Sequence, residues 1–305
     1  MTELFSDFNH IQMQNTTNTA RIYGDEIFFN FIEVPFEELE QRGDLVGQIK
    51  NHELDGFITK NVFTAEEVNE IKNFLTNLDE SEFMPTPSGK MFPAPFAIIT
   101  DTAERLEAYY NKLSLFDKYK ETNSSIGNLA RKLDNFFKSA AKNYHVSIPH
   151  NKIKDKEVAP GTFRMFYPNM GGLHVHCGNL FQAQSMFYYS LIKNDINMDD
   201  QLSYFVVLQQ PDAGGELTIY DMLWDKVKRK ESPENNEFVI DNNDNPIYVK
   251  DVHRFSVRPQ PGDILVFSGG PIWHRVEDIK GTIPRITFGG FLNFSKDNKE
   301  IYYWS

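Results

Sequence analysis

The segment Gly-Gly-Leu-His-Val-His-Cys-Gly-Asn at 171–179 and the histidine at 274 hold the residue types best suited to chemistry in this chain of 305 residues. Imidazole nitrogens bind divalent transition metals. A ferrous ion that activates a small molecule is commonly held by two histidines and one Asp or Glu on one face, leaving the other positions open. His176 and His274 would supply the two imidazoles. Two residues past His176 stands Gly178, which has no side chain and cannot ligate. An iron held by this pair would keep one further position vacant, large enough for a small anion. A lone histidine is more often a core or surface residue than a ligand, so the argument rests on the pair.

The chain must be able to build a frame for such a site, and its composition allows it. Hydrophobic residues make up 40% and aromatics 14%, with 26 Phe and 13 Tyr, which suits a folded, aromatic-rich interior. One compact unit is expected, with a support region over 1–155 and a core over 156–305. The net charge of −12 argues against nucleic acid or an anionic membrane as partner, because both need Lys and Arg to neutralise phosphate. With Cys177 the sole cysteine no internal disulfide forms, and no apolar run approaches a membrane span or a signal peptide. A cytoplasmic location and a small-molecule substrate fit best.

Residues 1–20 are polar and read as fraying or surface-lying chain. Ile22–Ile32 reads as a strand, and Phe36-Glu-Glu-Leu opens a short helical stretch. Thr64 followed by Ala-Glu-Glu-Val is a helix start: a hydroxyl cap, acids in the first turn, and Val68, Ile71, Phe74 and Leu75 on one face to about Leu78. Two more amphipathic helices are expected at about 101–120 and 125–144, the second carrying Ile126, Leu129, Leu133, Phe136 and Phe137. From Thr162 the texture changes to short aromatic and β-branched runs: Phe163–Tyr167, Leu202–Gln209, Glu216–Tyr220, Arg254–Val257, Asp263–Phe267 and Arg285–Phe294. Gly and Pro punctuate them, as in a β-barrel or jelly roll. The acidic, Asn-rich stretch Glu231–Asn245 offers nothing to bury and reads as a solvated loop.

Around His274 the sequence Pro-Gly-Asp-Ile-Leu-Val-Phe-Ser-Gly-Gly-Pro-Ile-Trp-His-Arg-Val-Glu (261–277) reads as turn, buried strand, turn, and a histidine opening the next strand. Arg285 and Thr287 follow in a further strand. This pattern, with the Gly-Gly-Glu-Leu strand at 214–217, resembles the Fe(II)/2-oxoglutarate-dependent oxygenases over roughly 160–295. The resemblance implies an α+β, mainly β fold: a double-stranded β-helix, jelly-roll or cupin-like, braced by N-terminal helices. It implies Fe(II) on His176 and His274, and 2-oxoglutarate and O2 as co-substrates. Arg285 and Thr287 would grip the distal carboxylate of 2-oxoglutarate, a task for which a guanidinium and a hydroxyl are well made. Arg164, Tyr167 and Asn169 occupy positions where relatives place groups contacting 2-oxoglutarate or substrate, Tyr167 foremost.

Gly178 departs from the hydroxylase pattern and resembles instead the family's halogenases, carrier-independent ones among them, which have His-x-Gly or His-x-Ala. There chloride takes the vacant position and the substrate radical recombines with halide, so a carboxylate's negative charge is replaced by a halide's. The implied reaction chlorinates an unactivated C–H bond. A hydroxylase with water in the gap, or a non-catalytic cupin-like binding domain, are the rivals, and a Gly178→Asp exchange should shift activity toward hydroxylation. Glycine near a strand end also serves turns.

His174, two residues before His176, raises a cupin-type His-x-His site, but the Glu expected four or five residues on is Leu180 or Phe181. His174 therefore reads as supporting or surface-lying. Asn179 fits ordinary turn chemistry. Glu216 is discounted as a third ligand, since strand alternation does not mark it as inward. Trp273, Phe187, Tyr188 and Tyr189 read as packing, and Cys177 as a small buried hydrophobe.

Overall fold

Ile264-Leu265-Val266-Phe267 is apolar at every position and buried at every position. A strand with that pattern needs an apolar surface on both faces. In the computed structural model, which describes residues 20–23, 26–96, 103–180, 191–192, 194–199, 201–228 and 238–305, both surfaces are present. Ile264 and Val266 join the cluster beneath the helices. Leu265 and Phe267 face inward, toward a second sheet.

The major sheet has eleven strands and runs in the order Ala20–Tyr23, Glu26–Pro35, Gly56–Lys60, Ile264–Phe267, Leu202–Gln209, Arg285–Phe294, Thr162–Phe166, Gly89–Phe92 and Met84–Thr86. Glu300–Trp304 pairs with Arg285–Phe294 and carries His145–Ser147 beside it. The minor sheet has four antiparallel strands, Arg254–Val257, Leu217–Leu223, Ile272–Val276 and Leu173–His176. From 162 onward the chain passes between the sheets, so strands distant in sequence become neighbours. Phe29, Phe31, Ile58, Leu265 and Phe267 of one sheet meet Leu217, Ile219, Phe255 and Ile272 of the other. The fold is α+β and mainly sheet.

Helices cover the outer face of the major sheet. Ala65–Asn77 begins where the sequence predicts, with Thr64 and Glu67 in a reciprocal capping box, and buries Val68, Ile71, Phe74 and Leu75. Ala103–Thr122 and Ser124–Ala140 form an antiparallel pair, the second capped by Asn123 and ending four residues before the periodicity suggests. Phe116 stacks on Phe288 at 6.3 Å and Phe137 meets Tyr204 edge-on at 4.9 Å, fixing the pair to the sheet. The strand expected at 22–32 is a hairpin, Ala20–Tyr23 with Glu26–Pro35. No helix among the described residues is long and apolar enough to cross a membrane.

The acidic stretch corrects the sequence reading. Residues 231–237 lie outside the described residues, but Phe238–Asp241 pairs with Val227–Lys228 and Pro246–Tyr248 in a three-stranded sheet. Asp241 accepts the amides of Asn243 and Asn245, both at 2.8 Å, closing the hairpin. Val239 and Val249 are buried against Val175, Tyr220, Met222 and Trp273 on the outer face of the minor sheet. The apolar run is only three residues, Phe-Val-Ile before Asp, and the acids and amides around it mask it.

Candidate metal centre

Antiparallel pairing brings the two histidines together. His176 closes its strand and His274 lies in the middle of Ile272–Val276, not at its start, and the two are register partners. Their ring centroids are 4.4 Å apart with planes at 58°. His274 Nδ1 bonds the Ile272 carbonyl at 2.8 Å, and His176 Nδ1 bonds the His174 carbonyl at 2.6 Å. A carbonyl only accepts, so each Nδ1 carries the proton, and each Nε2 holds the lone pair that a metal needs. His174 contributes through its backbone while its side chain is exposed.

His274 is 6% exposed, with Phe267 edge-on at 5.0 Å. Burial first, then the nearby His176, hold its imidazole well below the usual histidine range, against an opposing pull from the Ile272 carbonyl. A neutral ring is the state that can ligate. Among the described residues no group of three or more His, Cys, Asp or Glu side chains forms, so no acid completes a triad. Glu216 is committed elsewhere, in an ion pair with Arg258 at 3.0 Å.

The strand Arg285–Phe294 turns Ile286 and Phe288 toward the helices and Arg285 and Thr287 to the opposite, inner face. Both are buried, Arg285 to 5% exposure, and Arg164 is the cross-strand partner of Thr287. The Arg285 guanidinium lies over the Phe205 ring at 5.2 Å. Among the described residues it makes no ion pair and no hydrogen bond. Burial, reinforced by Arg164 and only partly offset by Glu216, pulls it down to about 10. Arg164 itself donates to the Gly289 carbonyl at 2.8 Å.

Other sequence-predicted positions behave differently. Tyr167 lies just past the end of Thr162–Phe166, its amide donating to Ser88, and no hydrogen bond joins it to the histidines or Arg285. Asn169 adopts φ 64° and its amide donates to Ile279. Trp273 and Cys177 are fully buried in the core behind the minor sheet, with Leu180 beside them. Phe181, Phe187, Tyr188 and Tyr189 lie outside the described residues. Asn179 donates its amide to Gly270, and its side-chain oxygen is buried without a hydrogen-bond partner.

Around Gly178 the structure is tighter than the open space foreseen from the sequence. A Cβ there would lie 2.5 Å from Gln201 Oε1, 3.0 Å from the Gly270 Cα and 3.3 Å from the Gly269 oxygen. Gln201 has no sequence signature: it simply precedes an apolar strand. Phe205 and Phe267, which wall the inner face, likewise carry no signature beyond that of strand residues.

No curated protein matches the sequence. Solved structures of related shape include an N-substituted L-amino acid dioxygenase from Burkholderia ambifaria AMMD, 14% identical over 85% of this chain and 90% of that one at TM-score 0.49. A prolyl-4-hydroxylase from Pseudomonas putida is 15% identical over 85% and 99% at 0.40. A 2OG-Fe(II) oxygenase family oxidoreductase from Burkholderia pseudomallei is 14% identical over 84% and 91% at 0.39. Residues 28–305, which carry both histidines, Gly178 and Arg285, match the carrier-protein-independent halogenases typified by WelO5, and the chain belongs to that family.

Proposed function

We propose that the protein is an Fe(II)/2-oxoglutarate-dependent halogenase that replaces an unactivated C–H bond of a small molecule by C–Cl. The observation that carries this reading is the histidine pair: in register, Nδ1-protonated, and without an acidic third partner among the described residues. Eight of the strands between 162 and 294, those of the two facing sheets, are read as a double-stranded β-helix, with the region before 156 bracing its major sheet.

The side chains fit the groups the reading requires. Two lone-pair-bearing imidazoles suit ferrous iron and leave one negative charge of the usual triad to be supplied from outside, as chloride would. Arg285 is a buried cation with no ion pair among the described residues, which a carboxylate of 2-oxoglutarate would complete, with the Thr287 hydroxyl on the same face. When bound, iron with 2-oxoglutarate and O2 would supply the oxidant that removes a hydrogen atom from the substrate. The balanced change is R–H, chloride, a proton, O2 and 2-oxoglutarate giving R–Cl, water, succinate and CO2.

The chain's own residues hold and shield. The carbonyls of His174 and Ile272 keep the imidazoles oriented, Phe267 closes one side of His274, and Phe205 supports the guanidinium. Anaerobic addition of Fe(II) and 2-oxoglutarate should produce a metal-to-ligand charge-transfer band, and a crystal containing bromide should show an anomalous peak beside the metal. A band without inner-sphere bromide would leave an oxygenase and defeat the halogenase reading.

A further inference from the structure

Gln201 is fully buried, and its side chain stands where any side chain at 178 would have to start. Its orientation is fixed from behind. Trp304 Nε1 donates to Asn293 Oδ1 at 2.9 Å, and Asn293 Nδ2 donates to the Asn197 carbonyl at 3.2 Å, so Oδ1 of Asn293 is an acceptor. The Gln201 atom facing it at 3.4 Å is therefore the Nε2 donor, and Oε1 is the end turned toward Gly178.

The backbone around this contact has little freedom. Gly178 N donates to Gly269, Asn179 N to Gly270, and Gly270 N to the Gln201 carbonyl, at 2.8, 3.0 and 2.9 Å. A Cβ on Gly270 would itself fall 2.4 Å from that carbonyl. Three segments are thus stitched together under the site, and only the far end of Gln201 can yield.

We propose that Gln201 is a positioning residue that holds the third ligand position closed to a protein carboxylate, so that Gly178 and Gln201 act as one paired determinant of what may stand beside the metal. The inference rests on the metal-site reading above. It requires that a side chain at 178 and the carboxamide at 201 exclude one another. A Gly178→Asp exchange alone then fails to deliver its carboxylate, and succeeds when Gln201 is trimmed.

The test is a thermal double-mutant cycle followed by a metal titration. Gly178→Ala should lower Tm by roughly 2–10 °C in the parent, as overpacking does, and by clearly less in the Gln201→Ala background. Titrated with Co(II) and followed by its visible absorption, Gly178→Asp with Gln201→Ala should bind about tenfold or more tightly than Gly178→Asp alone, because only the pair gains the third ligand. Equal Tm losses in both backgrounds, or Gly178→Asp alone binding as tightly as the pair, would overturn the proposal. A parent protein that binds no Co(II) would overturn the metal-site reading instead, and the thermal cycle would still decide whether the two residues collide.

Discussion

Arg285→Met separates a ligand-binding arginine from a structural one by the sign of its effect. Arg285 is 5% exposed, unpaired among the described residues, and pulled from the usual guanidinium range down to about 10 by burial and by Arg164. A displacement of that size corresponds to about 3 kcal/mol spent in holding the charge inside the fold. Because the folded value of this base lies below its unfolded one, the whole penalty is present at every pH below about 10 and lifts only as pH rises past it. Methionine keeps most of the apolar stem and removes the charge. Against the relief stands the loss of the guanidinium contact with Phe205, worth about 0.5–1 kcal/mol, and some packing. The ligand-free variant should therefore be more stable than the parent by about 1–2 kcal/mol, a rise in Tm of roughly 2–6 °C.

The same exchange should abolish co-substrate binding. With Mn(II) under anaerobic conditions and 2-oxoglutarate at about a hundred times its Kd, the parent should gain about 2.7 kcal/mol of stability and the variant almost none. Differential scanning fluorimetry with and without 2-oxoglutarate reads both effects. A variant that melts several degrees lower without ligand, yet keeps the 2-oxoglutarate shift, would show that Arg285 serves the fold and that the co-substrate binds elsewhere.

Three further outcomes follow from other parts of the molecule. His176→Ala or His274→Ala should each remove Co(II) binding by a hundredfold or more, on the order of losing one of only two imidazole ligands, and an unchanged titration would displace the metal site. In Glu67, burial pushes the carboxyl up, but bonds from Lys132, the Thr64 amide and Asn128 outweigh it and leave the group below its ordinary 4.5. Its contribution is thus present above pH 4.5 and lost as pH falls through the folded value, so the deficit of Glu67→Gln in urea unfolding, about 1 kcal/mol at pH 7, should shrink near pH 3; an equal deficit at both would refute it. Val239→Asp, placing a charge in the core behind the minor sheet, should detach the three-stranded cover at a cost of about 3 kcal/mol or more, seen as faster hydrogen exchange across 238–249, whereas unchanged exchange would show that the cover holds without Val239.

What could be read from the sequence follows from how local each signal is. The Thr64 cap with Glu67, and the apolar faces of the helices behind it, are set by residues within a few positions of one another, so their spacing alone located them. The strands from 162 to 294 were visible as short aromatic runs, but their pairing was not, because register joins Ile219 to His274 and Thr287 to Arg164 across gaps no local pattern spans. Val239 was missed since a four-residue strand is too short to stand out from acidic surroundings.

The site divides along the same line. His176, Gly178, His274 and Arg285 drew attention because residue type and spacing signal chemistry in one dimension. Gln201 could not, since its importance lies in a side chain 23 positions downstream arriving within 2.5 Å of where a glycine lacks one. A glycine in a ligand motif reads as a missing group when only the sequence is considered. Beside Gln201 it is also a steric requirement, and the two demands make different forecasts: if only the missing ligand mattered, restoring Asp at 178 would suffice, whereas a steric requirement means that 178 and 201 must change together.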